Sequence, residues 1–322
     1  MTPRTHHTGR MLLVLAGALA VPHRAPAGPD PPSILGPRRD ADGVLVHEVR
    51  SPYQTGTTLI RVLPPETVDK DRKYPVVYVL PVEAGTESRY GDGLAEVRKL
   101  GLHNKPGVVF VAPTFSHLPW YADHPTNPEV RQETYFLTVV VPFVEKAYPV
   151  EAKVGGRLLL GFSKSGWGAY ALLLRHPDVF GKAAAWDAPL LMDRPGKYGS
   201  GEIFGTPDNF ERYRVARLLE EKAEQFRTGR LVLLGYSNFR ADHQRAHELM
   251  DRLKIAHDYR DGPARKHDWH SGWVTEAVEL LLGARTAGYF APPCRRTRPG
   301  TDPDFESLLA RDDLRELLAD RK

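Results

Sequence analysis

Apolar residues in this chain gather into short continuous runs, and between them lie stretches where apolar residues recur every three or four positions. The runs suited to strands are Val44 to Val49, Thr57 to Leu63, Pro75 to Leu80, Val108 to Ala112, Leu158 to Leu160, Ala183 to Trp186, Leu231 to Leu234 and His257 to Tyr259. The helical sets are Phe136, Val139, Val140, Phe143 and Val144; Trp167, Tyr170, Ala171 and Leu174; Ala246, Leu249, Met250 and Leu253; and Val274, Ala277, Val278 and Leu281. Pro142 falls inside the first set and predicts a kink or a restart there. The central runs do not alternate with polar residues, so both faces of those strands must be covered. Strands alternating with helices then predict an α/β fold: a mostly parallel central sheet flanked by helices, with the N-terminal strands forming an antiparallel edge.

The ends of the chain read differently. Met11 to Val21 is apolar, follows Arg4 and Arg10, and is followed by Ala25-Pro26-Ala27, the three parts of an export signal. The run is too short to cross a bilayer, so the expectation is a signal peptide over residues 1–27, an exported protein and no membrane span. Residues 28–42, rich in Pro and charge, read as a flexible linker, and the folded domain is placed at 43–286. Residues 287–322 read as a Pro-rich linker and a short charged helical tail carrying Phe305, Leu308, Leu309, Leu314, Leu317 and Leu318. A content of 41% apolar and 26% charged residues suits a globular protein with a full core. A net charge of +4 is too mild to call for nucleic acid, and Arg295, Arg296 and Arg298 lack interleaved aromatics. Cys294 is the single cysteine, which excludes an internal disulfide and a cysteine-rich metal site.

The strongest chemical signal is Gly161-Phe162-Ser163-Lys164-Ser165-Gly166, which joins the run Arg157 to Leu160 to a helical pattern. A serine on a sharp strand-to-helix turn holds its hydroxyl above the sheet with the helix amides beneath it, which is how a nucleophile is presented. Position +2 carries Ser165 where such elbows usually have glycine, and Ser163 is also open to the reading of a helix N-cap.

Several blocks in order resemble the esterase family of α/β-hydrolases, which includes feruloyl and acetylxylan esterases, enterochelin esterase, S-formylglutathione hydrolase and mycolyltransferases. They are Lys73-Tyr74-Pro75-Val76-Val77-Tyr78-Val79-Leu80, Trp120-Tyr121-Ala122-Asp123, the elbow running into Arg175-His176-Pro177-Asp178-Val179-Phe180-Gly181, and His267-Asp268-Trp269. The resemblance implies acyl chemistry by a Ser-His-acid triad without a dissociable cofactor, with Ser163 as nucleophile and His267 as base. His270 is the rival base, because the spacing from Trp269 to Trp273 is one residue longer than usual. The family's usual acid position, three residues after Gly235, holds Asn238, an amide that cannot balance an imidazolium. Asp187, ending the preceding strand run, is the substitute, with a turn or helix cap as its structural alternative and Asp242 as a third option.

The oxyanion amides fall to Lys164 and Val82. Pro81 has no N–H, and Glu83 brings a carboxylate toward a site meant for negative charge, so an ion pair between Lys164 and Glu83 is expected to offset it. Trp120, Tyr121 and Trp167 are candidates for contact with a sugar or aryl ester, with the core as the alternative for all three and Trp167 the one that fits it best. His243 and His247 lie four apart on a helix, but Gln244 supplies no metalloprotease base, and no metal is expected. The resulting expectation is an exported carboxylic ester hydrolase acting on a small-molecule or saccharide-linked ester. An acyltransferase or a non-catalytic binding protein on the same scaffold are the alternatives, and labelling of Ser163 by a fluorophosphonate separates the last from the first.

Overall fold

The computed structural model describes Met1 and residues 31–69, 71–104 and 107–283. The expected signal peptide, Cys294 and the C-terminal tail lie outside the described residues. A nine-stranded sheet runs in the order β1-β2-β3-β5-β4-β6-β7-β8-β9. Its strands are β1 Ser33–Arg39, β2 Leu45–Ser51, β3 Gln54–Leu63, β4 Val76–Val79, β5 Val109–Pro113, β6 Arg157–Phe162, β7 Lys182–Trp186, β8 Leu231–Tyr236 and β9 His257–Ala264. The pairs β1/β2, β2/β3 and β3/β5 are antiparallel, and every pair from β5/β4 to β8/β9 is parallel. This is the expected architecture, with one correction at its start. The segment read as a flexible linker contributes β1, which pairs with β2 from Ser33↔Arg50 to Arg39↔Leu45. Only Ile34 in it is even half-buried, so β1 is held by backbone pairing and has no apolar alternation to reveal it. Pro37, Arg38 and Arg39 suit an edge that must not recruit another strand.

The helices are α1 Gly93–Lys99, α2 Gln132–Tyr135, α3 Val141–Ala147, α4 Ser163–Arg175, α5 Gly201–Phe204, α6 Pro207–Glu211, α7 Val215–Lys222, α8 Arg240–Arg252 and α9 Val274–Leu282. A π-helical turn, Phe136–Val140, joins α2 to α3, and the Val141 N–H donates to the Phe136 carbonyl five residues back. Pro142 accounts for it: the ring has no N–H to give and would strike a carbonyl one normal turn earlier, so the helix widens ahead of it.

Alternate residues of the central strands feed two cores. Val76, Tyr78, Leu159, Ala183, Ala185, Leu231 and Leu233 pack with α4, α7, α8 and the α2–α3 segment on one face. Val77, Val79, Leu158, Leu160, Phe162, Trp186, Val232 and Leu234 pack with α1 and α9 on the other. Burial on both faces is why those strands read as unbroken apolar runs. All parallel strands end on one edge, so the segments after β4, β6, β7, β8 and β9 meet there.

Candidate active site

The chain leaves β6 at Phe162 and enters α4 at Ser163 with φ +52°, a left-handed conformation that a side-chain-bearing residue takes only where its surroundings enforce it. Gly161 permits the turn, since a methyl group there would collide with the Ser165 backbone. Ser165 explains the departure at position +2. Its Oγ accepts the Phe162 N–H at 3.1 Å and donates to the Phe162 carbonyl at 2.9 Å, so this buried hydroxyl closes the turn and is occupied by the backbone. The small residue needed for close packing comes one place later: a Cβ on Gly166 would lie 2.8 Å from the Ala188 Cβ. The cap position of α4 is Phe162 and Ser163 is the first helical residue, so the N-cap alternative does not describe Ser163.

Beside the elbow, β7 ends at Trp186, and Asp187 follows with φ +41°. The Ser163 N–H donates to the Asp187 carbonyl at 3.2 Å, tying the two strand ends together. The Asp187 carboxylate is completely buried. Its Oδ2 lies 2.6 Å from His267 Nδ1 and accepts the Asn238 N–H at 3.0 Å, while Oδ1 accepts the Phe239 N–H at 2.8 Å. Burial pushes this carboxyl's pKa up, but the His267 bond and the amides of Asn238, Ser237 and Phe239 outweigh it and hold it below the ordinary aspartate value. Asn238, at the family's usual acid position, thus contributes its backbone and leaves its side chain exposed.

His267 sits in an aromatic enclosure, with ring centroids at 5.1 Å from Phe162, 5.5 Å from Tyr90, 5.9 Å from Phe239 and 6.2 Å from Trp186. The Trp269 N–H donates to the Tyr90 carbonyl at 2.9 Å, pinning the histidine loop to the segment before α1. His267 Nε2 and Ser163 Oγ, the remaining polar atoms of this cluster, form no hydrogen bond among the described residues. His270 is engaged elsewhere: its Nδ1 lies 2.7 Å from the buried Glu96 carboxylate, and its Nε2 accepts the Asp92 N–H at 3.4 Å. Asp242 accepts the Leu191 N–H at 3.1 Å and faces Arg245, so it serves a loop and does not reach His267.

Val82 follows β4, whose neighbour is β6, and the Leu80 N–H still donates to the Leu160 carbonyl at 2.8 Å. The chain beyond β4 therefore runs beside the elbow. Among the described residues the Val82 N–H meets no protein acceptor, and the Lys164 N–H lies in the first turn of α4, where no intrahelical partner exists. Lys164 and Glu83 form no ion pair within 4 Å among the described residues, so the expected contact is corrected to a longer-range one. Burial lowers the Lys164 pKa, Glu83 raises it and Arg89 lowers it again.

The three aromatics expected to meet a substrate are interior: Trp120, Tyr121 and Trp167 have no exposed surface. Trp120 packs edge-on against Trp167 at 5.4 Å, and Phe204 of α5 lies against Trp167 at 5.6 Å. Tyr121 instead buttresses the candidate oxyanion segment. Its hydroxyl donates to the Pro81 carbonyl at 2.7 Å, its φ is +57°, and its N–H together with that of Trp120 donates to Gln132 Oε1. Tyr90, Phe239, Trp186 and Gln132 were not visible as site residues in the sequence, because each reaches the site from a segment without a motif.

Residues 53–234 match the family model described as "Putative esterase". The chain belongs to the esterase family. Its fold is that of the α/β-hydrolase esterases. It is 26% identical over 193 residues to an esterase of Mycobacterium tuberculosis, a match that covers 54% of this chain and 41% of that protein, less than half of the relative's length. Among solved structures, a ferulic acid esterase superposes with a TM-score of 0.56 at 19% identity, covering 78% of this chain and 98% of the other. An S-formylglutathione hydrolase of Staphylococcus aureus gives 0.59 at 17% identity, covering 74% and 98%. A fluorophosphonate-binding serine hydrolase of the same organism gives 0.59 at 13%, covering 79% and 100%.

Proposed function

We propose that this esterase-family chain hydrolyses a carboxylic ester through an acyl-enzyme, with Ser163 as nucleophile, His267 as general base and Asp187 as the acid. The observation that carries this reading is the buried Asp187 carboxylate held on His267 Nδ1 at 2.6 Å, beside a serine in a left-handed turn. A carboxylate accepts only, so Nδ1 carries the proton and Nε2 presents its lone pair. The base takes the Ser163 proton through Nε2 as Oγ attacks the carbonyl carbon, and returns it to the leaving alcohol. Water then repeats the sequence and releases the acid. The Oγ···Nε2 bond is the one this reading requires to form with substrate in place, since such bonds commonly tighten only in the complex. The amides of Lys164 and Val82 receive the developing oxyanion, and the start of α4 adds its positive end.

The substrate reading narrows to a small ester. With Trp120, Tyr121 and Trp167 buried, no aromatic platform for a sugar is formed by them. A small polar cavity lined by Val82, Glu83, Arg61, Asp92 and Trp269 adjoins the oxyanion segment and suits a compact polar group. The export reading is part of the proposal, supported by the charged, apolar and small-residue order of residues 4–27. Two measurements test these statements. A fluorophosphonate probe and a p-nitrophenyl ester should label and turn over with the wild type and fail with Ser163→Ala; equal labelling of the variant refutes the assignment. Fractionation of expressing cells should find the protein outside the cytoplasm with its N-terminus at residue 28, and confinement of the full-length chain to the cytoplasm refutes export.

A further inference from the structure

On the opposite edge of the sheet from Ser163, the end of α8 approaches the start of β9, and His247, Asp251 and His257 converge. One donor atom from each lies within 4.8 Å of the other two. His247 and Asp251 are one turn apart on α8, and His257 opens β9 opposite Leu231, at the amino end of β8. The pair weighed from sequence, His243 with His247, does not form: the His243 Nε2 accepts the Ala188 N–H at 2.8 Å, deep in the core.

The proton arrangement identifies what the cluster lacks. His257 Nδ1 lies 2.8 Å from the Ile255 carbonyl, which only accepts, so Nδ1 carries hydrogen and the neutral ring's Nε2 is a lone pair. That lone pair faces His247 Nδ1 at 2.8 Å. If His247 Nδ1 donates to it, the lone pair on His247 Nε2 points at the Asp251 carboxylate, 3.5 Å away. If His247 Nε2 carries the hydrogen toward Asp251, two lone pairs confront each other. No pair of neutral tautomers satisfies all three groups; the cluster calls for a positive charge, which either a proton on His247, donating from Nδ1 to His257 and from Nε2 to Asp251, or a metal cation between the rings supplies. With the metal, each imidazole has one nitrogen free for ligation and the other held by an oxygen, the outer-shell pattern that orients metal-binding histidines. Tyr259 stacks on the His247 ring at a centroid distance of 4.0 Å and fixes its plane.

We propose that His247 Nδ1 and His257 Nε2 bind a divalent transition-metal ion of the zinc class, with Asp251 orienting His247 and supplying compensating charge, so that the ion clips α8 to β9. Paired imidazole nitrogens select zinc, nickel or copper over magnesium or calcium, which require oxygen ligands. Bonds of about 2.0–2.1 Å in a tetrahedral site separate the two nitrogens by about 3.3 Å, a small opening that the half-exposed His247 side chain can supply. Water completes the coordination. The site lies at the amino edge of the sheet, so its role is structural and separate from ester hydrolysis.

The test uses the full chain, stripped with a chelator and titrated with zinc chloride by calorimetry, together with thermal melts. The expected result is one zinc per chain and a Tm raised by about 5 °C or more at saturating zinc. His247→Gln and His257→Gln should each abolish this binding, and Asp251→Asn should weaken it about 10- to 100-fold. Turnover of an aryl ester should be unchanged in all three variants, which also reports that they fold. Absence of saturable binding overturns the proposal, as does undiminished binding in either histidine variant, which assigns the metal to other residues.

Discussion

Replacing Asp187 by Asn changes one oxygen to an amine at the point where most of the site's polar contacts meet. The wild-type carboxylate receives His267 and Asn238 on Oδ2 and Phe239 on Oδ1, all at 2.6–3.0 Å. An asparagine has one accepting oxygen and one amine. With the amine in the Oδ2 position, it confronts both the Asn238 N–H and the His267 Nδ1–H, and the ring must turn to the tautomer that leaves no lone pair on Nε2. With the amine in the Oδ1 position, the tautomer survives, but the Phe239 N–H loses its acceptor inside the protein. That unpaired donor costs about 1–3 kcal/mol of stability, a Tm loss of roughly 3–10 °C for a domain of this size.

The kinetic cost is larger than the structural one. In either orientation no negative charge faces the imidazolium formed when Ser163 attacks, and with the amide nitrogen in the Oδ2 position tautomer control is lost as well, a combination worth about 10⁴ in kcat in a serine triad, or about 5.5 kcal/mol. Steady-state hydrolysis of a p-nitrophenyl ester by Asp187→Asn, with circular dichroism as the folding control, should show that drop with KM moved by less than about threefold. Asn238→Ala is the matched control. Only the Asn238 backbone touches Asp187, so its kcat should stay within about twofold, and Asn238→Asp combined with Asp187→Asn should not restore activity, because that side chain is exposed. The reasoning is refuted if Asp187→Asn keeps a tenth or more of wild-type kcat, or if the Asn238→Asp change rescues it.

The rival histidines separate cleanly: His267→Ala should abolish fluorophosphonate labelling, whereas His270→Ala, which loses only its links to Glu96 and Asp92, should lower Tm and keep labelling. Tyr121→Phe leaves the Pro81 carbonyl unpaired and frees the oxyanion segment, so kcat should fall about tenfold, the worth of a buried hydrogen bond of about 1–1.5 kcal/mol, with little change in KM; an unaltered kcat removes the buttress role. His243 supplies the pH prediction. Burial pushes its pKa down to about 4, with Asp187 and Asp261 acting weakly the other way. The unfolded chain therefore binds a proton near pH 6.5 that the folded protein refuses, and stability should decline as pH falls from about 6.5 to 4, by about 3 kcal/mol from this group, then level off. Urea melts at pH 7 and 4.5 should show the decline in the wild type and a smaller one in His243→Gln; equal slopes contradict it.

What the sequence revealed and what it concealed divide along a physical line. Features generated by local pattern were legible: apolar runs buried on both faces gave the parallel strands, 3.6-residue spacing gave α4, α8 and α9, and the glycine before Ser163 marked the elbow because no other residue clears the Ser165 backbone. Features generated by backbone partners at a distance were not. β1 is an edge strand whose side chains bury almost nothing, so pairing with β2 leaves no periodicity to read. The three aromatics placed at a substrate mouth are as apolar in a core as in a binding face, and composition cannot separate the two. The acid shows the same limit most clearly. Position by position, Asn238 looked like a missing carboxylate, yet its amide is one of the donors that hold Asp187 on His267. The carboxylate that contacts the imidazole follows β7, and the position after β8 supports it with a backbone amide. Charge at this site is therefore set by which strand end reaches the histidine, and a substitution that looks degenerate along the chain can leave the chemistry intact when a neighbouring strand supplies the carboxylate.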